Sequence, residues 1–216
     1  TLSLHDALPI CHRLPQVADD GHDLGRLRRI PARPVHAGAV RPAGGNLPGG
    51  PALKPTLPAA YFDELYGRDA DPWNFETSAY EDAKYRDSVD SLPRGRYARA
   101  FEIGCSIGVL TSRLAGRCDS LLSVDVSDLA LRRAERRNAD HSHVRFELMG
   151  FPADSPPGPF DLIVMSEVGY YLSRPDLERA AVRCRDLLEP GGDLLLVHYV
   201  RETDYPLTGD AVHDFL

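Results

Sequence analysis

The chain has 216 residues and a formal net charge of -7, with 43% hydrophobic and 26% charged residues. These values are ordinary for a globular protein, and the negative charge argues against a nucleic-acid partner, which needs clustered Lys and Arg to neutralise phosphates. No apolar run reaches the length of about 18 residues that a membrane-spanning helix needs, so no membrane partner is expected.

The four cysteines, Cys11, Cys105, Cys118 and Cys184, form no CxxC pair. This pattern is typical of free thiols in a cytoplasmic protein rather than of a disulfide or zinc framework. No metal site is therefore expected, and the sequence leaves the oligomeric state open.

The first 60 residues contain no Phe, Tyr or Trp, whereas all 17 aromatic residues lie in 61–216. Neither helical nor strand periodicity can be followed through this proline-rich segment, so it lacks the means to build a core. Its opening, TLSLHDALPI, resembles translated sequencing-adapter sequence. We expect residues 1–57 to be a disordered extension or an artefact, and we assign them no function.

From residue 61 onward, strand and helix patterns alternate along the chain. The first helix is predicted at 77–92, with Thr77 or Ser78 as its N-cap. Strands are predicted at 96–104, 120–127, 144–149, 160–168 and 193–200. The intervening helices are predicted at 107–114, with Gly116 as C-cap, at 128–139 after a Ser127 cap, and at 173–188 after a Ser173 cap.

This alternation predicts βαβ units and therefore a doubly wound, Rossmann-like α/β fold with a mostly parallel sheet. Ligands of such sheets bind beyond the carboxyl ends of the strands. The candidate site residues accordingly lie at 102–108, 125–126, 149–151, 166–171 and 198–199.

A glycine-bearing turn follows the first predicted strand in AFEIGCSIG. The dinucleotide fingerprint GxGxxG would need glycine at 104, 106 and 109, whereas the chain has Gly104, Ser106 and Val109. The spacing of Glu102, Gly104, Ser106 and Gly108 resembles the first motif of class I S-adenosylmethionine-dependent methyltransferases, an acidic residue followed by GxGxG. This resemblance implies that Glu102 accepts from the ammonium of S-adenosylmethionine. Serine at 106 is expected to favour a negative φ.

Asp125 lies near the end of the second predicted strand, 23 residues after Glu102. An acidic side chain at this place can accept hydrogen bonds from both ribose hydroxyls of a nucleotide. Asp125 suits NAD and S-adenosylmethionine equally, and the glycine spacing favours the latter.

Four longer stretches resemble the nodulation-protein S (NodS-like) family of methyltransferases. They are DPWNFETSAYEDAKYR (71–86), FEIGCSIG, FDLIVMSEVGYYL (160–172) and LEPGGDLLLVHYVRETDYPLTGDAVHD. The resemblance covers about residues 60–216. It implies an N-methyltransferase, of a family whose type acts on the amino group of a glucosamine-containing oligosaccharide, with other small-molecule acceptors left open. Superfamily members often place an acid after the third strand for the adenine amine, and Met149-Gly150-Phe151 stands there instead.

The resemblance also implies a division of the chain into a helical lid at 58–95 and an S-adenosylmethionine-binding domain at 96–216. The predicted cofactor contacts come from the turn, from the carboxyl ends of the strands and from the lid. They are Glu102, Gly104, Cys105, Ser106, Gly108, Asp125, Val126, Met149, Gly150, Phe151, Ser166, Trp73 and Tyr80.

Methyl transfer to an amine needs a neutral nitrogen, so a carboxylate, histidine or tyrosine beside the acceptor is useful. Glu167 follows the fourth strand and is the first candidate for holding or deprotonating the amine. Tyr170, Tyr171 and His198 are candidate supports. Two other functions remain open: a catalytically silent S-adenosylmethionine-binding module and an NAD-dependent oxidoreductase.

Class I methyltransferases normally add two further strands after the fifth, the last of them antiparallel. Only RETDYPLTGDAVHDFL follows the fifth predicted strand. We therefore expect a truncated domain whose five-stranded sheet ends in an unpaired edge.

Overall fold

The computed structural model describes residues 54–201 and 203–216, together with the backbone of residues 7–13. The strands are β1 (Ala7–Arg13), β2 (Ala100–Ile103), β3 (Leu121–Asp125), β4 (Val144–Leu148), β5 (Phe160–Ser166) and β6 (Leu188–Tyr199). The helices are α1 (Ala59–Arg68), α2 (Ala79–Asp90), α3 (Val109–Ala115), α4 (Asp128–Arg137), α5 (Arg174–Leu187) and α6 (Gly209–His213), and a 3-10 turn spans Gly169–Tyr171.

The strands form one sheet in the order β1-β6-β5-β2-β3-β4. All pairs from β6 to β4 are parallel, and β1 pairs antiparallel with β6. The strand order reverses beside β2, so the crevice for a ligand lies beyond the carboxyl ends of β2, β3 and β5. The doubly wound α/β fold predicted from the sequence is confirmed.

The core lies on both faces of the sheet because successive strand residues point to opposite sides. On one face Ile163 and Met165 of β5 pack in a cluster with Leu177 and Cys184 of α5. On the other face Leu162 and Val164 pack with Leu114 of α3 and residues of α2. Burial on both faces explains why β5 contains the apolar run from Leu162 to Met165.

The helix starts follow the predicted caps. The side chains of Ser78, Ser127 and Ser173 accept hydrogen bonds from backbone N–H groups in the first turns of α2, α4 and α5. Gly116 is the C-cap of α3, but it has ordinary right-handed dihedrals rather than the left-handed conformation that usually favours glycine there.

The two ends of the predicted sheet need correction. β6 begins at Leu188, before the Pro190-Gly191-Gly192 stretch that was expected to separate helix from strand. The edge of β6 was expected to be unpaired, and this prediction was wrong. Ala7–Arg13, inside the segment predicted to be disordered, pair there with Asp193–Tyr199. Within residues 96–216 the sheet has the five parallel strands that were expected.

Among the helices of the described ranges, none is long and apolar enough to span a membrane.

Candidate active site at the carboxyl edge of the sheet

The turn between β2 and α3 is built on three residues with left-handed backbone. Gly104, Ser106 and Gly108 have φ values of 75°, 53° and 77°. A Cβ on Gly104 would lie 2.2 Å from Val168 Cγ2, and a Cβ on Gly108 would lie 2.6 Å from Asn138 Nδ2. Both places therefore require glycine for space as well as for conformation.

Ser106 departs from its prediction, because its φ is positive. Two contacts hold this conformation. The Ser106 N–H donates to Asp125 Oδ2 at 2.9 Å, and its hydroxyl lies 2.5 Å from the hydroxyl of Tyr66 on α1. The serine thus joins the glycine turn to the neighbouring strand and to the helix above it.

Glu102 lies beneath this turn and is 2% exposed. Its Oε2 accepts hydrogen bonds at 2.7 Å from the hydroxyls of Thr111 and Ser123. Burial raises the pKa of Glu102 to about 7, although these two hydrogen bonds act to lower it. Both of these hydrogen-bond donors are neutral hydroxyls, so the ionised Glu102 carboxylate favours a ligand that brings a positive group.

Asp125 ends β3 beside the turn. Its Oδ2 accepts from Ser106 N–H and its Oδ1 accepts from Ser127 N–H, each at 2.9 Å. Burial raises the pKa of Asp125, and the backbone N–H groups oppose this effect. A carboxylate offers about four lone-pair positions, so Asp125 keeps capacity for a further donor. Val126 follows and is partly buried.

The segment after β4 places its three predicted residues differently. Met149 is partly buried, and its N–H donates to Asp125 O at 2.9 Å. Phe151 is turned into the core, where its ring packs edge-on against Phe101. Gly150 N–H lies 3.3 Å from Asp154 Oδ2, so the loop after β4 places the exposed Asp154 carboxylate beside the end of β4.

Cys105 and Ser166 lie beside the crevice, at the carboxyl ends of β2 and β5. Cys105 is 4% exposed, and its N–H donates to Val124 O at 2.9 Å. Burial raises the pKa of its thiol well above the usual value, so this cysteine is a neutral packing group. Ser166 is the last residue of β5 and is partly buried.

Glu167 follows β5 with a φ of 58°. Its Oε1 accepts from Lys84 Nζ at 3.0 Å, and its Oε2 accepts from the Tyr170 hydroxyl at 2.5 Å and from Tyr199 N–H at 3.1 Å. Lys84 also pairs with Glu81 Oε2 at 2.8 Å. The structure thus brings Glu167 and Tyr170 together, as the sequence predicted, and adds a lysine.

Tyr171 and His198 differ in their surroundings. Tyr171 is partly buried between Phe62 of α1, Tyr170 and Tyr205. His198 is fully buried, and its Nε2 accepts from Gly169 N–H at 2.9 Å. Burial lowers the pKa of His198 well below its usual value. His198 therefore supports the 3-10 turn as a neutral ring. Because the side chain is fully buried, its ring nitrogens are not accessible to a methyl acceptor.

Helix α1, which begins the segment predicted to be a lid, lies against the turn and α4. Tyr66 of α1 reaches Ser106, and Trp73 packs edge-on against Tyr66 and stacks on Phe75. Tyr80 lies farther along, with its ring centre 5.6 Å from Lys84 Nζ. Trp73 therefore packs beside Tyr66, the partner of Ser106, and Tyr80 lies beside Lys84, the partner of Glu167.

Sequence reasoning missed several residues of this site. They are Tyr66, Glu81, Lys84, Asp154 and Tyr205. The signal for Glu81 and Lys84 was present in the stretch YEDAKY, where a Glu and a Lys three residues apart share one helix face. Asp154 and Tyr205 are brought in by loops and carry no comparable pattern.

No group of three or more His, Cys, Asp and Glu side chains within residues 54–201 and 203–216 is arranged to hold a metal ion.

In a sheet of this strand order, a strand leads through a glycine turn into a helix. One acid lies under the turn, and a second lies at the end of the next strand. These features define the class I S-adenosylmethionine-dependent methyltransferase fold. The Nodulation protein S (NodS) family model matches residues 63–202, and the chain belongs to this family.

Individual relatives agree with this assignment. The chain is 38% identical over 114 residues to Nodulation protein S of Bradyrhizobium diazoefficiens, covering 52% of this chain and 54% of that protein. It is 33% identical over 127 residues to Nodulation protein S of Sinorhizobium fredii, covering 58% and 59%. The chain therefore matches little more than half the length of these curated relatives.

Among solved structures, the chain is similar to the N-methyltransferase NodS from Bradyrhizobium japonicum WM9 in complex with S-adenosyl-L-homocysteine. The TM-score is 0.60 at 31% identity, over 64% of this chain and 71% of that one.

Proposed function

We propose that the chain binds S-adenosylmethionine at the Gly104–Gly108 turn and methylates an amino nitrogen of an amino sugar, an oligosaccharide or another small molecule. The observation that carries this proposal is the contact between the cofactor turn and Val168, the residue that follows Glu167. Val168 side-chain atoms fill the space beside Gly104, so the residue after Glu167 touches the turn itself. A methyl donor and an amine held at these two places would be neighbours.

The residues of the crevice fit the cofactor. The buried Glu102 carboxylate suits the ammonium of the methionine part, and Asp125 keeps acceptor capacity for ribose hydroxyls. Met149 and the Asp154 carboxylate beside Gly150 suit the apolar face and the amine of adenine. The bound cofactor would supply an electrophilic methyl group on a sulfonium.

The chemistry required of the protein is mainly positioning. Holding two reactants in line can contribute as much as about 7–11 kcal/mol to lowering a barrier. Glu167 accepts three hydrogen bonds from the protein, which leaves roughly one lone-pair position for a donor. In the proposed reaction that position accepts an N–H of the acceptor, orients the nitrogen lone pair toward the methyl group and receives the departing proton.

The nature of the acceptor rests on the family. The similar protein from Bradyrhizobium japonicum is described as an N-methyltransferase, which supports a nitrogen acceptor. The free, buried thiols of Cys105, Cys118 and Cys184 support a cytoplasmic location. The net charge of -7 favours a small-molecule acceptor over nucleic acid.

The test is a turnover screen. The purified chain is incubated with S-adenosylmethionine and a panel of amino sugars, amino-sugar oligosaccharides and simple amines, and S-adenosylhomocysteine and methylated products are measured by mass spectrometry. Glu167→Gln should retain cofactor binding while methylation falls by about 100-fold or more. Glu178→Gln on the exposed face of α5 is the matched control and should keep full activity.

Three outcomes separate the alternatives. Cofactor binding without turnover on any amine would indicate a silent binding module. Binding of NAD in place of S-adenosylmethionine, measured by calorimetry, would reject the methyltransferase assignment. Full activity of Glu167→Gln across pH would remove this residue from the reaction.

A further inference from the structure

Lys84 is a buried cation at the acceptor side of the site. It is 7% exposed, and its ammonium lies 2.8 Å from Glu81 Oε2 and 3.0 Å from Glu167 Oε1. The rings of Tyr80 and Tyr85 lie 5.6 and 5.4 Å from Nζ. The ammonium thus bridges two carboxylates inside a partly aromatic enclosure.

The choice of lysine here stands out in the composition. The sequence has 25 Lys and Arg residues, and only Lys54 and Lys84 are lysines. An ammonium is a compact point charge, whereas a guanidinium is a wide planar fork that favours bidentate pairing. A compact charge suits a position between two carboxylates that approach from different elements.

Stability alone is a weak reason for this arrangement. Taking charges out of water costs free energy, and replacing a buried ion pair by apolar side chains is often neutral or stabilising. Two carboxylates and one ammonium also leave a net charge of -1 in the enclosure. A buried trio of this kind is better explained by what its geometry does for Glu167.

The Glu167 carboxylate is fixed at both oxygens. Lys84 holds Oε1, while the Tyr170 hydroxyl and Tyr199 N–H hold Oε2. Removing the lysine would release one oxygen and let the carboxylate rotate about the other. Lys84 is therefore the contact that determines which lone pair of Glu167 remains available to a ligand.

We propose that Lys84 is a positioning residue for methyl transfer. It holds Glu167 in one orientation and offsets one of the two carboxylate charges, so that the Glu81–Lys84–Glu167 trio presents one net negative charge to the acceptor amine. This inference rests on the proposed function and assigns a role to the YEDAKY stretch, which the cofactor site leaves unexplained. Lys84 acts through Glu167 and needs no contact with the substrate.

Other groups around the trio are neutral. Burial would lower the pKa of Lys84, but the carboxylates of Glu167 and Glu81 outweigh it and raise the pKa above its ordinary value. Burial raises the pKa values of the facing phenols and lowers that of the facing imidazole, so these groups carry no charge near neutral pH. They are Tyr85 of α2, Tyr170 and Tyr171 of the 3-10 turn, His198 of β6 and Tyr205.

Without Lys84, two carboxylates would face each other in a buried site. Burial and the charge of Glu167 raise the pKa of Glu81, while Lys84 lowers it, so loss of the lysine would let Glu81 take up a proton at a higher pH. A protonated pair is a poorer acceptor for an amine. The acid limb of the pH–rate profile therefore reports on the lysine, whereas a filler role would leave that limb in place.

The first arm of the test needs no turnover. The chain is labelled with 13C at the lysine ε carbon, and Lys84→Met identifies the Lys84 signal, with exposed Lys54 as the reference in the same spectrum. In the wild type the Lys84 signal should stay at its protonated position to about pH 11. In Glu167→Gln its titration should move down by about one pH unit or more. An unchanged titration would overturn the ion pair and the proposal.

The second arm uses turnover. Lys84→Met should lower kcat about tenfold or more, leave the KM for S-adenosylmethionine unchanged and move the acid limb up by about one pH unit. Glu81→Gln combined with Lys84→Met removes the facing carboxylate, so the acid limb should return toward its wild-type position. The double variant keeps the net charge of -1 that the trio has in the wild type, now on Glu167 alone, so it lacks the like-charge repulsion of the single variant.

Arg86→Met is the matched control, because Arg86 forms an exposed pair with Asp82 on the same helix. A Lys84→Met profile equal to that of Arg86→Met would overturn the positioning role. If the wild type methylates none of the amines, the proposed function fails and the positioning role falls with it. The lysine titration would then still decide whether the ion pair exists, so the two failures are distinguishable.

Discussion

Ser106 and Glu167 have left-handed backbone although neither is glycine, with φ values of 53° and 58°. Such conformations cost about 1–3 kcal/mol each and persist where surrounding contacts determine them. Ser106 is held by Asp125 and Tyr66, and the N–H of Glu167 donates to Val197 O at 2.7 Å. The backbone at Ser106 directs its N–H to Asp125, and the backbone at Glu167 places its carboxylate beside Lys84 and Tyr170.

Glu102 gives the chain a pH-dependent stability. Its pKa of about 7 in the fold exceeds the ordinary value of 4.5, so the folded state binds the proton more tightly than the unfolded state. The stability that this proton contributes is complete below about pH 4.5 and is lost as pH rises to about 7. The loss in the free energy of unfolding should be about 3 kcal/mol, measured by urea denaturation across this window.

The same carboxylate should couple cofactor binding to proton release, because the ligand ammonium favours ionised Glu102. Calorimetry with S-adenosylhomocysteine at pH 6, in two buffers of different ionisation heat, should show proton release that disappears in Glu102→Gln. This variant should also lose the dependence of stability on pH between about 4.5 and 7. Equal proton release in both proteins would show that another group titrates.

Among individual residues, the sequence predicted the acids that belong to a motif. Glu102 and Asp125 were found because their spacing from the glycines is fixed by a strand–turn–helix unit. Lys84 and Tyr66 were not found, because their contacts with Glu167 and Ser106 span 83 and 40 residues of chain. Such contacts depend on how helices dock, which local patterns do not encode.

Helix α1 closes the cofactor side of the crevice through a small set of polar contacts. Arg133 of α4 donates to the carbonyls of Tyr66, Asp69 and Ala70, and the Ser127 hydroxyl donates to Asp63 at 2.6 Å. Just before α1, Leu57 N–H donates to Tyr171 O at 2.9 Å. The helix is thus attached to both sides of the crevice, and these contacts determine how readily it opens.

Arg133→Ala should therefore loosen α1. Hydrogen bonds to a charged donor contribute about 1.5–3 kcal/mol each when buried, and partial exposure of Arg133 reduces this to about 1–2 kcal/mol in total. Amide exchange in residues 59–70 should accelerate about 5- to 30-fold, and S-adenosylhomocysteine should dissociate faster. Arg132→Ala is the control, since Arg132 pairs with Asp128 on the exposed face of α4. Equal exchange in both variants would mean that other contacts hold the helix.

Among the elements, the sequence predicted those that carry a strong apolar period and a cap. The central strands and α2, α4 and α5 occur within a few residues of their predicted positions. β1 was not predicted, because a strand that joins a sheet through its backbone needs no alternating side-chain pattern. Pro9 lies in this strand, which fits its place at the edge of the sheet, where not every N–H must be paired.

For the whole molecule, β1 determines whether the sheet presents an open edge. Without it, the backbone groups of β6 from Asp193 to Tyr199 would be unpaired on one side, beside the strand that carries His198. An open, apolar edge strand is a template for pairing with another chain. Six of the seven residues of β6 that face β1 are buried, so β6 cannot be shielded by charged side chains of its own.

Deletion of residues 1–13 should consequently expose this edge. We expect faster amide exchange in Asp193–Tyr199 and a concentration-dependent association visible by sedimentation, while the exchange of β2 and β3 stays unchanged. Deletion of residues 1–6 alone keeps β1 and serves as the control, which should match the full chain. Unchanged protection of β6 after the longer deletion would show that β1 does not hold this edge in solution. A dimer that forms only after that deletion would show that β6 pairs with a second copy when its own strand is removed.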